Sequence, residues 1–147
     1  METFAYRRAE DLPGGAEPHG GPPNLSALLG AWRNTDGGAS GGIVQLLLVE
    51  RDRTLRVHAF GAGAPEPYDW GEIEAVPYAA SVASGAAWAF TATYDFGFLE
   101  TTLSAYTKTG ILVLTTYNSF TDGSGRAHYF TREFFHRDRR AECSPSP

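Results

Sequence analysis

The breaks in this sequence constrain its fold most. Eight strand-like runs follow one another: GAWRN, GIVQLLLVE, TLRVHAF, DWGEIEAVPYA, AWAFTATYDF, FLETTLSAYT, ILVLTTYNSF and HYFTREFFH. Between them stand TDGGASG, RDR, GAGAPEP, SVASG, Gly97, KTG and TDGSGR. Several of these breaks have length only for a hairpin, so neighbouring strands must run antiparallel. A parallel pair needs a crossover, usually helical, and none of the breaks can hold one. Helical periodicity is nearly absent. NLSALLG, Asn24 to Gly30, has the pattern of one short helical turn capped by Asn24 or Ser26.

Eight antiparallel strands in meander order leave two unpaired edges, and closure removes both. The expected fold is therefore all-β, an eight-stranded antiparallel up-and-down barrel over residues 25–137. A two-sheet sandwich is the alternative, disfavoured because long connections are scarce. Residues 1–24 include AEDLPGGAEPHGGPPN, rich in Pro and Gly, and read as a flexible arm or lid. Residues 138–147 read as a disordered tail.

Alternation assigns the faces. Trp88, Phe90, Ala92, Tyr94 and Phe96 share one face of their run, and that ring-bearing face is expected inside. Leu112, Leu114, Thr116, Asn118 and Phe120 share another, and Leu55, Val57 and Ala59 oppose Arg56, His58 and Phe60. In HYFTREFFH both faces carry rings and the pattern does not choose. A single bulge flips any of these assignments. Small or polar residues at interior positions (Asn34, Ala59, Ala92, Thr116, Asn118) point to a cavity partly lined by Trp, Tyr and Phe rather than a filled core.

The 147 residues carry a formal charge of −5, which argues against nucleic acid, since phosphate recognition needs a basic face. The basic HRDRR, His136 to Arg140, reads as a solvated chain end. The longest apolar stretch, IVQLLLV, is too short to span a bilayer, so no membrane association is expected. METFAYRRAEDLPGG has no apolar run of signal-peptide length, and the one cysteine, Cys143, makes no internal disulfide. A cytoplasmic location is expected.

The segment Gly30-Ala31-Trp32, after a short turn and ahead of a strand meander, resembles the G-x-W motif of the calycin superfamily of lipocalin-like barrels. The resemblance implies that Trp32 closes one end of the barrel. It also implies that an Arg near the last strand packs across that Trp, with Arg132 the best match and Arg126 the second. The segments LLGAWRN, VHAFGAGAPEPYDWGE, YDFGF and FTDGSGRAHYF are also similar to those of a group of small, largely uncharacterised bacterial proteins. Many members of that group carry Cys where this chain has Gly63 and Tyr68, a pair that would clip the loop before Asp69-Trp70-Gly71. This chain lacks both, which fits a cytoplasmic setting. The resemblance implies a fold and no established chemistry.

Several constellations bear on function. TDGGASGG, Thr35 to Gly42, has no Lys and no following helix, so it reads as a mouth loop rather than a phosphate loop. In YDWGE, Asp69 and Glu72 flank a ring that would raise a carboxyl pKa if buried beside it. Equally, Asp69 can bond the turn backbone while Glu72 points to water. His58 reads as an outward or interfacial histidine. His19, His58, His128 and His136 have no metal spacing, and neither metal nor cofactor is expected. No serine lies in a nucleophile elbow. DGSGR reads as a hairpin loop, although Ser124 and Arg126 could face an anionic group from it.

The expected function is binding of a small hydrophobic metabolite, foremost as a cofactor-free cyclase or isomerase. Asp69, Tyr94, Asn118 and Arg132 are its candidate catalytic groups, polarising a carbonyl or moving a proton. Trp32, Asn34, Trp70, Trp88, Phe90, Thr116, Phe120 and Tyr129 are its candidate ligand-binding residues. The alternative is a non-catalytic carrier or sensor with the same walls. The one protein partner entertained is a second copy of the chain, as a homodimer.

Overall fold

A computed structural model describes residues 20–36 and 42–139. The greater part of the expected N-terminal arm (1–19), most of the Gly-rich mouth loop (37–41) and most of the tail (140–147) lie outside the described residues. The elements are nine strands: β1 (Gly30–Asn34), β2 (Ile43–Arg51), β3 (Thr54–Gly61), β4 (Tyr68–Glu74), β5 (Val76–Ala79), β6 (Ala87–Asp95), β7 (Leu99–Lys108), β8 (Ile111–Phe120) and β9 (Tyr129–Arg137). They form one antiparallel sheet in the order β4-β3-β2-β1-β9-β8-β7-β6-β5.

The short breaks form the expected hairpins. Arg51 pairs with Thr54 across Asp52-Arg53, and Lys108 with Ile111 across Thr109-Gly110. All four central residues have positive φ, between 50° and 82°. That is the two-residue turn whose twist matches the strands it joins. NLSALLG makes a single turn, closed by Leu28 N–H to Leu25 O at 2.8 Å, with Asn24 Oδ1 accepting from Ser26 N–H.

The expected eight-stranded closed barrel is corrected to a nine-stranded sheet that is not closed. The run DWGEIEAVPYA does not stay one strand. Its first part, β4, pairs with β3; the Ala75 N–H donates to Leu55 O at 2.8 Å; from Val76 the chain pairs with β6 instead. The two edge strands are thus consecutive, and no backbone ladder joins β4 to β6. Side chains span the seam. Trp70 of β4 packs edge-on against Tyr94 of β6 at 5.5 Å between ring centroids and against Phe96 at 5.2 Å.

A bulge sits beside this seam. His58 pairs with Glu72 and Phe60 with Asp69, so Trp70 and Gly71 together face Ala59. Gly71 takes φ +85°, a conformation that a side chain disfavours. The Ala59 N–H turns to the Tyr94 hydroxyl at 3.0 Å, and that hydroxyl donates to Gly71 O at 2.7 Å. One phenol thereby does at the seam what a ladder does elsewhere.

The core follows the alternation. Leu55, Val57 and Ala59 are buried from β3, Phe90, Ala92 and Tyr94 from β6, Leu112, Leu114, Thr116 and Asn118 from β8. Trp88 departs from it. Tyr78 pairs with Ala89 but Ala79 with Ala87, which leaves Trp88 as the extra residue of a bulge, 45% exposed outside the sheet. In β9 the odd-numbered positions face inward, and Phe135 is fully buried. Arg132, an even-numbered position, therefore faces out, over the Phe134 ring.

Parity also corrects the cation expected over Trp32. Neither Arg132 nor Arg126 reaches it. Arg137 does, with its guanidinium 4.5 Å from the Trp32 ring centroid. Arg137 also donates to Leu29 O and to Ala27 O, while Trp32 Nε1 donates to Leu28 O at 2.9 Å. This end of the interior is sealed. Beyond it, the Asp138 N–H donates to Ala31 O, and Asp138 pairs with Arg33 at 3.0 Å.

Candidate functional site

The inward face of β8 changes character along its length. Leu112 and Leu114 lie toward the sealed end, Thr116 and Asn118 toward the other. Across the ladders, Thr101 stands opposite Asn118, and Thr116 opposite Thr131. The polar rung thus gathers at the end away from Trp32. There a cleft of about 80 Å³ opens. Ile43, Trp70, Phe96 and Leu99 form its apolar wall; Thr101, Thr116, Asn118, Thr131 and Glu133 form its polar floor, with Gly42 and Tyr129 at its margin.

The floor is internally bonded. Thr101 Oγ donates to Asn118 Oδ1 at 2.8 Å. Asn118 Nδ2 donates to Thr116 Oγ at 3.0 Å and, more weakly, to Tyr129 O at 3.4 Å. The Thr116 and Thr131 hydroxyls pair with each other. Behind them Asn34 Nδ2 donates both to Ile43 O and to Glu133 Oε2. Such bonding is what polar groups removed from water require. Burial raises the Glu133 carboxyl above its ordinary pKa, opposed by the hydrogen bonds from Asn34 and from the Ile43 backbone.

The sequence candidates scatter around this cleft. Trp70, Thr116, Asn118 and Tyr129 line it. Asn34 supports it from behind through Glu133. Phe90 is buried core, and Trp32 lies at the sealed end. Phe120 sits at the end of β8 under the Arg126 guanidinium, 4.0 Å from its ring centroid. Trp88 and Arg132 are outside. Tyr94 is buried with its hydroxyl engaged by backbone at the seam, and burial pushes its pKa up to about 12.

Asp69 is exposed and outside the cleft. His58 Nε2 lies 2.5 Å from Asp69 Oδ1, and the Gly71 N–H donates to the same oxygen at 2.8 Å. These contacts, the histidine first, hold the Asp69 carboxyl below its ordinary range. His58 stacks on Phe60 with centroids 4.5 Å apart. Glu72 pairs with Arg51 at 2.6 Å. YDWGE therefore sends Trp70 to the cleft and its carboxylates into surface pairs. In DGSGR, Asp122 bonds Ser124 and Arg126, which draws its pKa down to about 2, the Ser124 hydrogen bonds leading. The Arg126 guanidinium is thus engaged within its own loop.

Glu133 was missed as a candidate by sequence reasoning. Its signal was present: once Tyr129 is taken as inward, Thr131 and Glu133 share that face. Phe96, Leu99 and Thr101 follow from the same parity. Among the described residues, no group of three or more His, Cys, Asp or Glu could hold a metal ion, and no helix is long and apolar enough to cross a membrane. Comparison with known protein families, curated proteins and solved structures finds no match to this chain.

Proposed function

We propose that this chain is a carrier or sensor that holds one small molecule, or the head group of a longer one, in the cleft beside Trp70 and Glu133. The observation that carries this reading is the cleft itself, one wall apolar and one floor polar, at the end of the interior away from Trp32. Its size sets the ligand. Liquid water occupies about 30 Å³ per molecule, and an engineered 150 Å³ cavity takes up benzene. About 80 Å³ admits a group of only a few non-hydrogen atoms.

The cofactor-free cyclase or isomerase is the second reading. Of its four candidate catalytic groups only Asn118 lines the cleft. What favours it is Glu133, a partly buried carboxyl facing the same space, where it could take and return a proton.

Native mass spectrometry of the protein purified from its own host, with extraction and identification of whatever is bound, tests both readings. A bound small molecule supports the carrier. Turnover of that molecule, lost in Glu133→Gln with affinity retained, would move the assignment to the enzyme. An apo mass, with no ligand shifting the cleft residues in solution, would overturn both.

A further inference from the structure

The hydrogen bonds of the cleft leave an uneven remainder. Both N–H groups of Asn118 are taken up, by Thr116 Oγ and Tyr129 O, and both of Asn34, by Ile43 O and Glu133. The Thr101 hydroxyl hydrogen goes to Asn118. Thr116 and Thr131 share one hydrogen between them, which leaves one hydroxyl hydrogen for a ligand. Against that single floor donor stand the free lone pairs of the Glu133 carboxylate and of the threonine oxygens; the other side-chain donors around the cleft, the Trp70 indole N–H and the Tyr129 hydroxyl, belong to its wall and margin. The floor is rich in acceptors and poor in donors.

Charge points the same way. Among the described residues no Lys, Arg or His forms an ion pair with Glu133; its hydrogen-bond donors are a neutral amide and a backbone N–H. Asp36 adds a second negative charge nearby. A partly buried carboxylate without a cation is costly unless something brings one. The opposite wall is made of Trp70 and Phe96, with Tyr129 at the margin. Aromatic faces attract cations and shelter an alkyl chain.

From these observations we infer that the cleft binds a primary alkylammonium group, with its N–H donors on Glu133 and the threonine oxygens and its short apolar tail against Trp70 and Phe96. The inference rests on the carrier reading and adds the ligand's chemistry. A quaternary ammonium lacks the donors that the floor is built to receive. A carboxylate would meet the negative charge of Glu133 and Asp36 with only one hydroxyl of the floor to bond.

Three probes of matched size test it on the full chain at neutral pH and low ionic strength: n-propylammonium chloride, 1-propanol and sodium propionate, each followed by amide NMR titration. The ammonium is expected to shift Gly42, Thr131 and Glu133 and to bind at least tenfold more tightly than propanol, with propionate weakest. Glu133→Gln keeps the shape and removes the charge. It should cost the ammonium at least tenfold and leave propanol unchanged. Equal or tighter binding of propanol or propionate in the cleft overturns this inference and leaves the carrier reading standing. Undiminished ammonium binding by a folded Glu133→Gln protein also overturns it. If none of the three probes moves a cleft resonance, the inference falls and the carrier reading falls with it. The wild-type order of affinities decides the matter even if the variant does not fold.

Discussion

Tyr94→Phe isolates the seam between β4 and β6. The substitution keeps the ring, and with it the contacts to Trp70 and Phe96, and deletes one oxygen. That oxygen accepts from the Ala59 N–H at 3.0 Å and donates to Gly71 O at 2.7 Å. Tyr94 is 3% exposed and Ala59 fully buried, so water does not simply replace it. An orphaned buried donor costs about 1–3 kcal/mol, and the second lost bond adds about 1. The Gly71 carbonyl is nearer the surface and recovers part of its share. The expected loss is about 2–3 kcal/mol, or roughly 10 °C in Tm for a domain of this size. Urea denaturation should show a lower midpoint at unchanged m, because the surface exposed on unfolding is the same. Hydrogen exchange should show the Ala59 amide losing protection. Binding of propylammonium below the transition should be unaltered, because the hydroxyl does not face the cleft. A stability loss under about 0.5 kcal/mol, with the Ala59 amide still protected, would refute the claim that this phenol substitutes for a ladder.

The remaining predictions concern other parts of the sheet. Trp32→Ala should cost about 3–5 kcal/mol, since it empties a fully buried site, whereas Trp88→Ala should cost under about 1, since the bulge leaves that ring outside; chemical denaturation of the pair checks the assignment. Arg137→Met keeps the stem over Trp32 but loses the guanidinium's bonds to the Ala27 and Leu29 carbonyls, with about 2–4 kcal/mol expected by the same assay. The Tyr94 pKa stands at about 12 against an ordinary 10, so the folded state holds that proton more tightly than the unfolded chain. Its contribution is complete below pH 10 and is lost between pH 10 and 12. Wild type should therefore lose stability across that window more steeply than Tyr94→Phe, as thermal melts on both would show.

Much of the architecture was legible because it depends on local chemistry. RDR and KTG leave room only for two-residue turns, and antiparallel pairing follows. The alternation in ILVLTTYNSF places Leu112, Leu114, Thr116 and Asn118 on one face without further information, and that face is inside. What was not legible depends on single residues that shift phase. DWGEIEAVPYA reads as one strand because nothing at Ala75 marks the exchange of partners from β3 to β6. Trp88 sits on the ring-bearing face by count, and only the extra residue opposite Tyr78 and Ala79 turns it out. HYFTREFFH has rings on both faces, so its pattern alone did not turn Arg132 outward, and Arg137, rather than Arg132 or Arg126, emerges over Trp32 only with the pairing of β9. The place of the cleft was not legible for a related reason: it depends on Trp70, Tyr94 and Phe96 meeting across the seam, a contact that no single strand's pattern announces.

The interior divides into two ends with different work. At the sealed end, the indole is answered by Leu28 O and the Arg137 guanidinium by the carbonyls of the preceding turn, while the buried Thr107 hydroxyl opposite Leu112 has no hydrogen-bond partner among the described residues. Substitutions there remove packing and paired hydrogen bonds, so they act on stability. At the open end the amide donors of the floor are answered, while Glu133 and the threonine oxygens keep lone pairs free. Glu133 lies in the rung opposite Leu114, one rung deeper than the Thr116–Thr131 pair, where the face is already turning apolar. A carboxylate set that deep, with no cation paired to it among the described residues, contributes little to folding and disfavours its own ionisation. Glutamine at this position would keep the hydrogen bonds from Asn34 and Ile43 only in part but would remove the desolvated charge. Glu133→Gln should therefore be as stable as wild type or more so, and poorer at binding a cation. Stability and binding moving in opposite directions at one residue is the signature of a group kept for a ligand rather than for the fold. A Glu133→Gln protein that lost both together would instead mark Glu133 as part of the scaffold.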